Sequence, residues 1–272
     1  MDGLGVIFAT VFSVLYPLII WLLIKKVRFE REPYRYLLAA FILGAAVFYL
    51  AYLRKLYVLF FSGLALYSVD LVATGFIEEA AKLLILVIPF IRRRMDERNG
   101  AFYGLVVGLG FGGGEAILLL ASAAASYSSN QLGLLLDLTA LNSLAMQPLT
   151  QMQSLLVGIF VLPQLISETN ALLSLIFGFN LLGISPIAIY ERIFTILFHA
   201  STATLIGYGL VRGKTLKYYM AAVALHIFLD FFAILYLLGF TELIVTETII
   251  TAISLPLFVY VLYKKVLTVN AS

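Results

Sequence analysis

Residues 76–86 read FIEEAAKLLIL, so Glu78, Glu79 and Lys82 sit inside an otherwise apolar stretch. Four more ionisable groups have similarly apolar neighbours: Glu115, His199, His226 and Asp230. His199 and His226 are the only histidines in the chain. A carboxylate beside two imidazoles in a dry pocket can activate water as a general base. Imidazoles or an acid side chain can then steady the oxyanion of an amide under attack. Two histidines and a glutamate are equally a zinc ligand set, here His199, His226 and Glu115. The motif H-E-x-x-H is absent, which excludes a zincin-type site, and there is no G-x-S-x-G. The chain has no cysteine, so thiol nucleophiles, Cys-zinc sites and disulfides are excluded.

Spacing adds direction. Glu78 and Lys82 stand at i and i+4, share a helix face and can pair, and His226 and Asp230 have the same relation. Glu79 is turned about 100° from Glu78, so one glutamate faces the centre of a site while the other braces it. Glu78 is taken as the base. Gly104, Gly108 and Gly112 form a stripe four residues apart with Glu115 one turn further on. Small residues at that spacing bring helix backbones close together. The stripe lies within an apolar span with no strand before it, so it is not a phosphate cradle. Ser201, Thr202 and Thr204 follow His199 and are expected to hydrogen-bond between helices. Glu191 and Arg192 are read as an interfacial ion pair with a snorkelling arginine.

These groups need helices in a bilayer to position them. The 272 residues are 62% apolar and 12% charged, and spans of 18 or more apolar residues recur. The fold class is therefore all-α: a polytopic membrane helical bundle with a clustered core of four motif-bearing helices. The short alternating segments of a β-barrel are absent. Spans are predicted at 4–24, 36–53, 67–91, 101–126, 186–210, 218–238 and 245–263. The first is read as a retained helix, being too long for a signal peptide and lacking a basic start. The stretch 128–185 contributes two short spans or a set of interfacial helices, giving about 7–9 spans in all. Basic clusters at Lys25–Arg35, Arg92–Arg98, Arg212–Lys217 and Lys264–Lys265 are placed in the cytosol. This puts the N-terminus outside and the C-terminus inside. Arg54 and Lys55 fall on the outer side and run against the rule.

Measured from the cytosolic helix ends at ~1.5 Å per residue, Glu78, Glu115, His199, His226 and Asp230 lie roughly 12–21 Å deep. At that depth an ionisable side chain costs about 2.5–3.5 kcal/mol and usually faces the bundle interior. The chain divides into N-terminal helices (1–66), a catalytic-type core (67–238, with 128–185 as a variable insertion) and a C-terminal helix (239–272).

In order, the segments EEAAK, GFGGGEA, ERIFTILFHAST and HIFLD resemble the membrane-embedded peptidases of the CPBP type, the superfamily of the CAAX prenyl endopeptidases. The PrsW and YhfC branches are the nearest. The family pattern is a Glu-Glu pair with a basic residue, a glutamate on the next helix, and two histidine helices, the last followed by Asn or Asp. Glu78, Glu79 and Lys82 match its first part, Glu115 the second, His199 the third, and His226 with Asp230 the fourth. The resemblance implies that Glu78 or Glu79 activates water while His199 and His226 stabilise the attacked carbonyl. Phenylalanines stand one and five residues before His199, not four, so the prenyl-endopeptidase F-x-x-x-H pattern fails. The basic residue also follows EEAAK spacing. Both departures favour PrsW or YhfC over a CAAX substrate.

The resulting expectation is an intramembrane endopeptidase in a prokaryotic plasma membrane. It would cut a membrane-embedded or membrane-anchored protein, with zinc as the candidate cofactor and no nucleic-acid partner. A proton- or ion-coupled transporter and a non-catalytic scaffold of the same family are the competing classes.

Overall fold

The computed structural model describes residues 4–133 and 184–268. Among them run eight α-helices: α1 (Leu4–Arg28), α2 (Tyr34–Tyr52), α3 (Gly63–Val87), α4 (Pro89–Arg92), α5 (Gly100–Gly133), α6 (Pro186–Val211), α7 (Thr215–Leu237) and α8 (Leu243–Val261). A 3-10 turn, Leu53–Leu59, continues α2, and a π-turn, Leu262–Leu267, continues α8. Six of these segments are long and apolar enough to cross a membrane: α1, α2 with its turn, α5, α6, α7 and α8 with its turn. The 25-residue α3 has the same length but carries Asp70, Glu78, Glu79 and Lys82. The polytopic helical bundle is as expected. Most of the 128–185 stretch lies outside the described residues.

Local chemistry sets the helix ends. The span expected to reach residue 91 stops at Val87, because Pro89 forces Ile88 into an extended conformation (φ −55°, ψ 126°). Ser185 caps α6, its side chain accepting from the Ile187 N–H, with Pro186 in the first turn. Gly239 (φ 77°) ends α7. The Phe240 N–H reaches the Leu235 carbonyl and the Gly239 N–H reaches that of Tyr236, a closure that needs a left-handed residue.

Helix α5 is the axis of the bundle and packs against α6, α2 and α1. Its glycines are the reason. A Cβ on Gly104 would lie 2.3 Å from the Ala203 carbonyl oxygen, and one on Gly108 would lie 2.3 Å from that of His199. On other faces, Gly110 meets the Phe41 carbonyl and Gly114 that of Ala45. Gly113 meets the Ser13 carbonyl. Pro17, four residues on in α1, has no N–H to engage that carbonyl, so the helix opens where Gly113 comes closest. The predicted stripe of small residues thus does what its spacing implies: α6 packs along it, and α7 packs in turn against α6 and α3.

The basic clusters share one end of the bundle. Lys265 and Arg212 both stack on Tyr208, Arg212 pairs with Glu97 at 3.7 Å, and Arg94 stacks on Tyr36. Arg54 and Lys55 do not join them, because both fold inward onto α3 through Glu78 and Asp70.

Substituting Gly108 by valine is expected to destabilise the fold by at least about 1–3 kcal/mol, because a backbone cannot yield as a side chain can. Leu84→Ala, on the exposed face of α3, should stay within ~0.5 kcal/mol of wild type. Thermal unfolding of both variants in detergent checks the pair.

Candidate active site

The ionisable groups singled out in the sequence converge. Helix α3 supplies Glu78, Glu79 and Lys82, all buried, α5 supplies Glu115, α6 supplies His199, and α7 supplies His226 and Asp230. The two imidazole rings lie 5.3 Å apart, centre to centre. They border a cavity of about 200 Å³ whose lining includes Arg54, Asp70, Thr74, Glu78, Glu115, Arg192, His199, His226 and Asp230.

The two neighbouring glutamates have different surroundings. Lys82 Nζ donates to Glu79 Oε1 at 2.7 Å, to Thr202 Oγ1 at 3.1 Å, and lies 2.9 Å from His199 Nδ1. Lys82 thus has three polar partners, the direction of the His199 contact being set by the imidazole tautomer. Glu79 Oε1 also takes His226 Nδ1 at 2.7 Å. Glu79 is fully buried and does not line the cavity. Glu78 does line it. Its Oε1 is held by Arg54 Nη2 at 2.5 Å, and its Oε2 is buried with no hydrogen-bond partner, 3.6 Å from His226 Nε2. The i,i+4 pairing of Glu78 with Lys82 therefore does not form. Lys82 turns toward the α6 side of α3, where Glu79, one residue on, is the carboxylate within reach.

On the other wall, Glu115 Oε2 lies 2.7 Å from His199 Nε2, and its Oε1 lies 3.2 Å from Arg192 Nη1. Arg192 is also ion-paired with Glu191 and is only 5% exposed. It is a buried partner of the site, not the interfacial arginine expected, because Glu115 on the adjoining α5 supplies the charge it needs. Asp230 Oδ2 lies 3.6 Å from His226 Nε2, as its spacing implies. Of the three hydroxyls after His199, only Thr202 reaches a neighbouring helix. Ser201 and Thr204 donate to Leu197 and Ala200 carbonyls of their own helix.

The structure changes the expected ligand set. The ligand atoms that come within 4.8 Å of one another belong to Glu78, His199 and His226. Glu115 pairs instead with Arg192 and with His199 Nε2. The donor set fits a divalent metal: two imidazole nitrogens, one carboxylate oxygen lacking a partner, and a cavity beside them with ionisable side chains in its lining. The Glu79 contact on His226 Nδ1 fits as well, since a ligating imidazole usually gives its other N–H to a carboxylate.

Several partners are absent from the sequence reading. Asp70, Thr74, Glu78 and Lys82 follow one another at intervals of four, a polar ladder along one face of α3 that the sequence does display. Arg54 gave only the signal of breaking the charge rule. Glu247 of α8, buried with a free Oε2, gave none.

This is a membrane-embedded bundle with a buried glutamate–histidine centre beside a cavity, the anatomy of a hydrolase working within the bilayer. A family profile described as "PrsW family intramembrane metalloprotease" matches residues 32–177, more than half of the chain, and the chain belongs to that family. It is an intramembrane protease, and its substrates are membrane-associated proteins. No curated protein and no solved structure matches it significantly.

Lys82→Met removes the cation beside the fully buried Glu79, a change expected to cost about 3–5 kcal/mol of stability. The double variant Lys82→Met/Glu79→Gln should recover a measurable part of that loss, because no uncompensated charge remains. Thermal unfolding in detergent compares the two.

Proposed function

We propose that the chain hydrolyses a peptide bond of a membrane-associated protein at the point where Glu78, His199 and His226 converge, with zinc as cofactor. The observation that carries this reading is the buried Glu78 Oε2, free of hydrogen bonds and facing both His226 and the cavity. Glu79 Oε2 and Glu247 Oε2 are also unpartnered, but neither residue lines the cavity. Glu78, His199 and His226 would hold the metal, which when bound would polarise the scissile carbonyl and make water nucleophilic near neutral pH.

The chain's own groups prepare that site. Glu79 accepts the Nδ1 proton of His226 and so leaves Nε2 as the lone-pair nitrogen. Lys82 fixes Glu79 in turn. Glu115 stands 2.7 Å from His199 Nε2 and orients that ring. Asp230 lines the cavity beside His226 and is placed to take a proton from water or pass it to the leaving amine. The apolar walls, including Phe198 and Leu229, limit access of bulk water.

A second, metal-free reading has its own observation. A charged Lys82 donating to His199 Nδ1 leaves the proton on Nε2, where His199 would donate to the oxyanion once substrate displaced Glu115. Glu78 would then be the base alone, as the sequence spacing suggested. The family's designation as a metalloprotease favours the first reading, and hydrolysis over the transporter and scaffold alternatives.

The basic end of the bundle is assigned to the cytosol of a prokaryotic plasma membrane, which puts the C-terminus inside. The site then lies toward the outer half of the bilayer.

Glu78→Gln is expected to lower cleavage at least about 100-fold while the protein still folds. The assay is fragment detection by mass spectrometry, with the full chain in liposomes carrying a pool of bilayer-spanning peptides. Full cleavage by this variant contradicts both readings. Loss of cleavage with 1,10-phenanthroline and recovery with zinc supports the metal reading, whereas cleavage indifferent to chelation supports the second.

A further inference from the structure

Arg54 lies outside every motif that pointed to the site, in the turn that leaves α2. All three guanidinium nitrogens are engaged: Nε donates to Thr74 Oγ1 at 3.1 Å, Nη1 to the Ala51 carbonyl at 3.1 Å, and Nη2 meets Glu78 Oε1 at 2.5 Å. The Arg54 and Glu78 side chains are 5% and 3% exposed, so solvent contributes little to their orientation. The contacts extend outward. Thr74 Oγ1 donates to Asp70 Oδ1 at 3.1 Å, and Asp70 holds Lys55 Nζ at 2.7 Å. The turn itself buries none of its residues. These polar contacts tie the turn to α3.

We propose that Arg54 is a positioning residue for the hydrolytic centre: it anchors one oxygen of Glu78 so that the other, Oε2, is fixed toward His226 and the cavity. This rests on the reading of Glu78 given above. A planar fork tied at two other points gives Nη2 a fixed position, and Nη2 in turn fixes the carboxylate. A lysine ammonium could satisfy the charge of Glu78 but not hold all three acceptors in that geometry. Arg54 acts only through Glu78. Its loss would leave the metal-holding atoms present but loosely placed.

The test compares Arg54→Gln, Arg54→Lys, Glu78→Gln and the double variant Arg54→Gln/Glu78→Gln in the full chain in lipid nanodiscs. Zinc affinity is measured by competition with a chelating dye, beside thermal unfolding. Arg54→Gln is expected to weaken zinc binding about 10–100-fold, the usual effect of losing a group that orients a ligand. Arg54→Lys should restore less than half of the loss on the logarithmic scale. In the Glu78→Gln background the Arg54 substitution should have no further effect on affinity. Wild-type zinc affinity in Arg54→Gln overturns the proposal, as does an equal loss with and without Glu78, whatever the change in melting temperature.

If wild type binds no zinc but cleaves, the metal reading fails alone. Arg54 is then judged by cleavage: a fall in kcat of about 100-fold with KM held within ~3-fold supports it, and an unchanged kcat overturns it. A wild-type chain that neither binds zinc nor cleaves ends both this proposal and the reading it rests on.

Discussion

A carboxylate inside a bilayer bundle cannot stay ionised without a cation or hydrogen-bond donors close to it. This constraint organises the interior of the protein. Glu78 is matched with Arg54, Glu79 with Lys82, and Glu115 with Arg192. The three cations come from the turn after α2, from α3 itself and from α6. The Arg54–Glu78 and Arg192–Glu115 pairings each tie one structural element to another, whereas Lys82 and Glu79 pair within α3, so the charges help fix the bundle while they compensate each other. In the low dielectric of the interior such pairs are costly to break singly, because the remaining partner is left without compensation.

The pairing also distributes roles. Glu79 serves two donors at once and stands behind His226, away from the cavity. Glu78 uses one oxygen for Arg54 and presents the other. Adjacent glutamates can differ this way because successive helix positions point about 100° apart. One faces the cavity, and the other faces the Lys82–Thr202–His226 side. The glycine axis of α5 makes the arrangement possible. Close backbone approach at Gly104 and Gly108 brings His199 of α6 within reach of Glu115 and, across α3, of Lys82.

Much of this is legible in the sequence, for physical reasons. Ionisable residues in apolar spans are conspicuous, helix periodicity gives their faces, and the glycine interval announces a tight interface. The seven groups singled out do meet at one place. What the sequence hides is which partners join. The EEAAK spacing permits Lys82 to bond either glutamate, and the choice of Glu79 depends on where α6 sets Thr202 and His199. Arg54 and Arg192 read as loop and interface charges because nothing local shows that a turn folds inward or that α5 brings Glu115 alongside. The candidate ligand set includes Glu78 rather than Glu115 for the same reason: three-dimensional neighbours, not depth alone, decide which oxygen stays free. Pro89, by contrast, was visible in the sequence and alone explains why α3 stops short of its expected end.

The central claim is that Glu78, His199 and His226 form a metal centre around the carboxylate oxygen that the ion pairs leave free. The most direct measurement is zinc K-edge X-ray absorption on the purified, zinc-loaded chain in lipid. The account predicts about one zinc per chain, with two imidazole nitrogens and oxygen donors in its first shell and one imidazole fewer in His226→Ala. A chain that takes up no zinc, or a bound zinc with no imidazole in its shell, would contradict it.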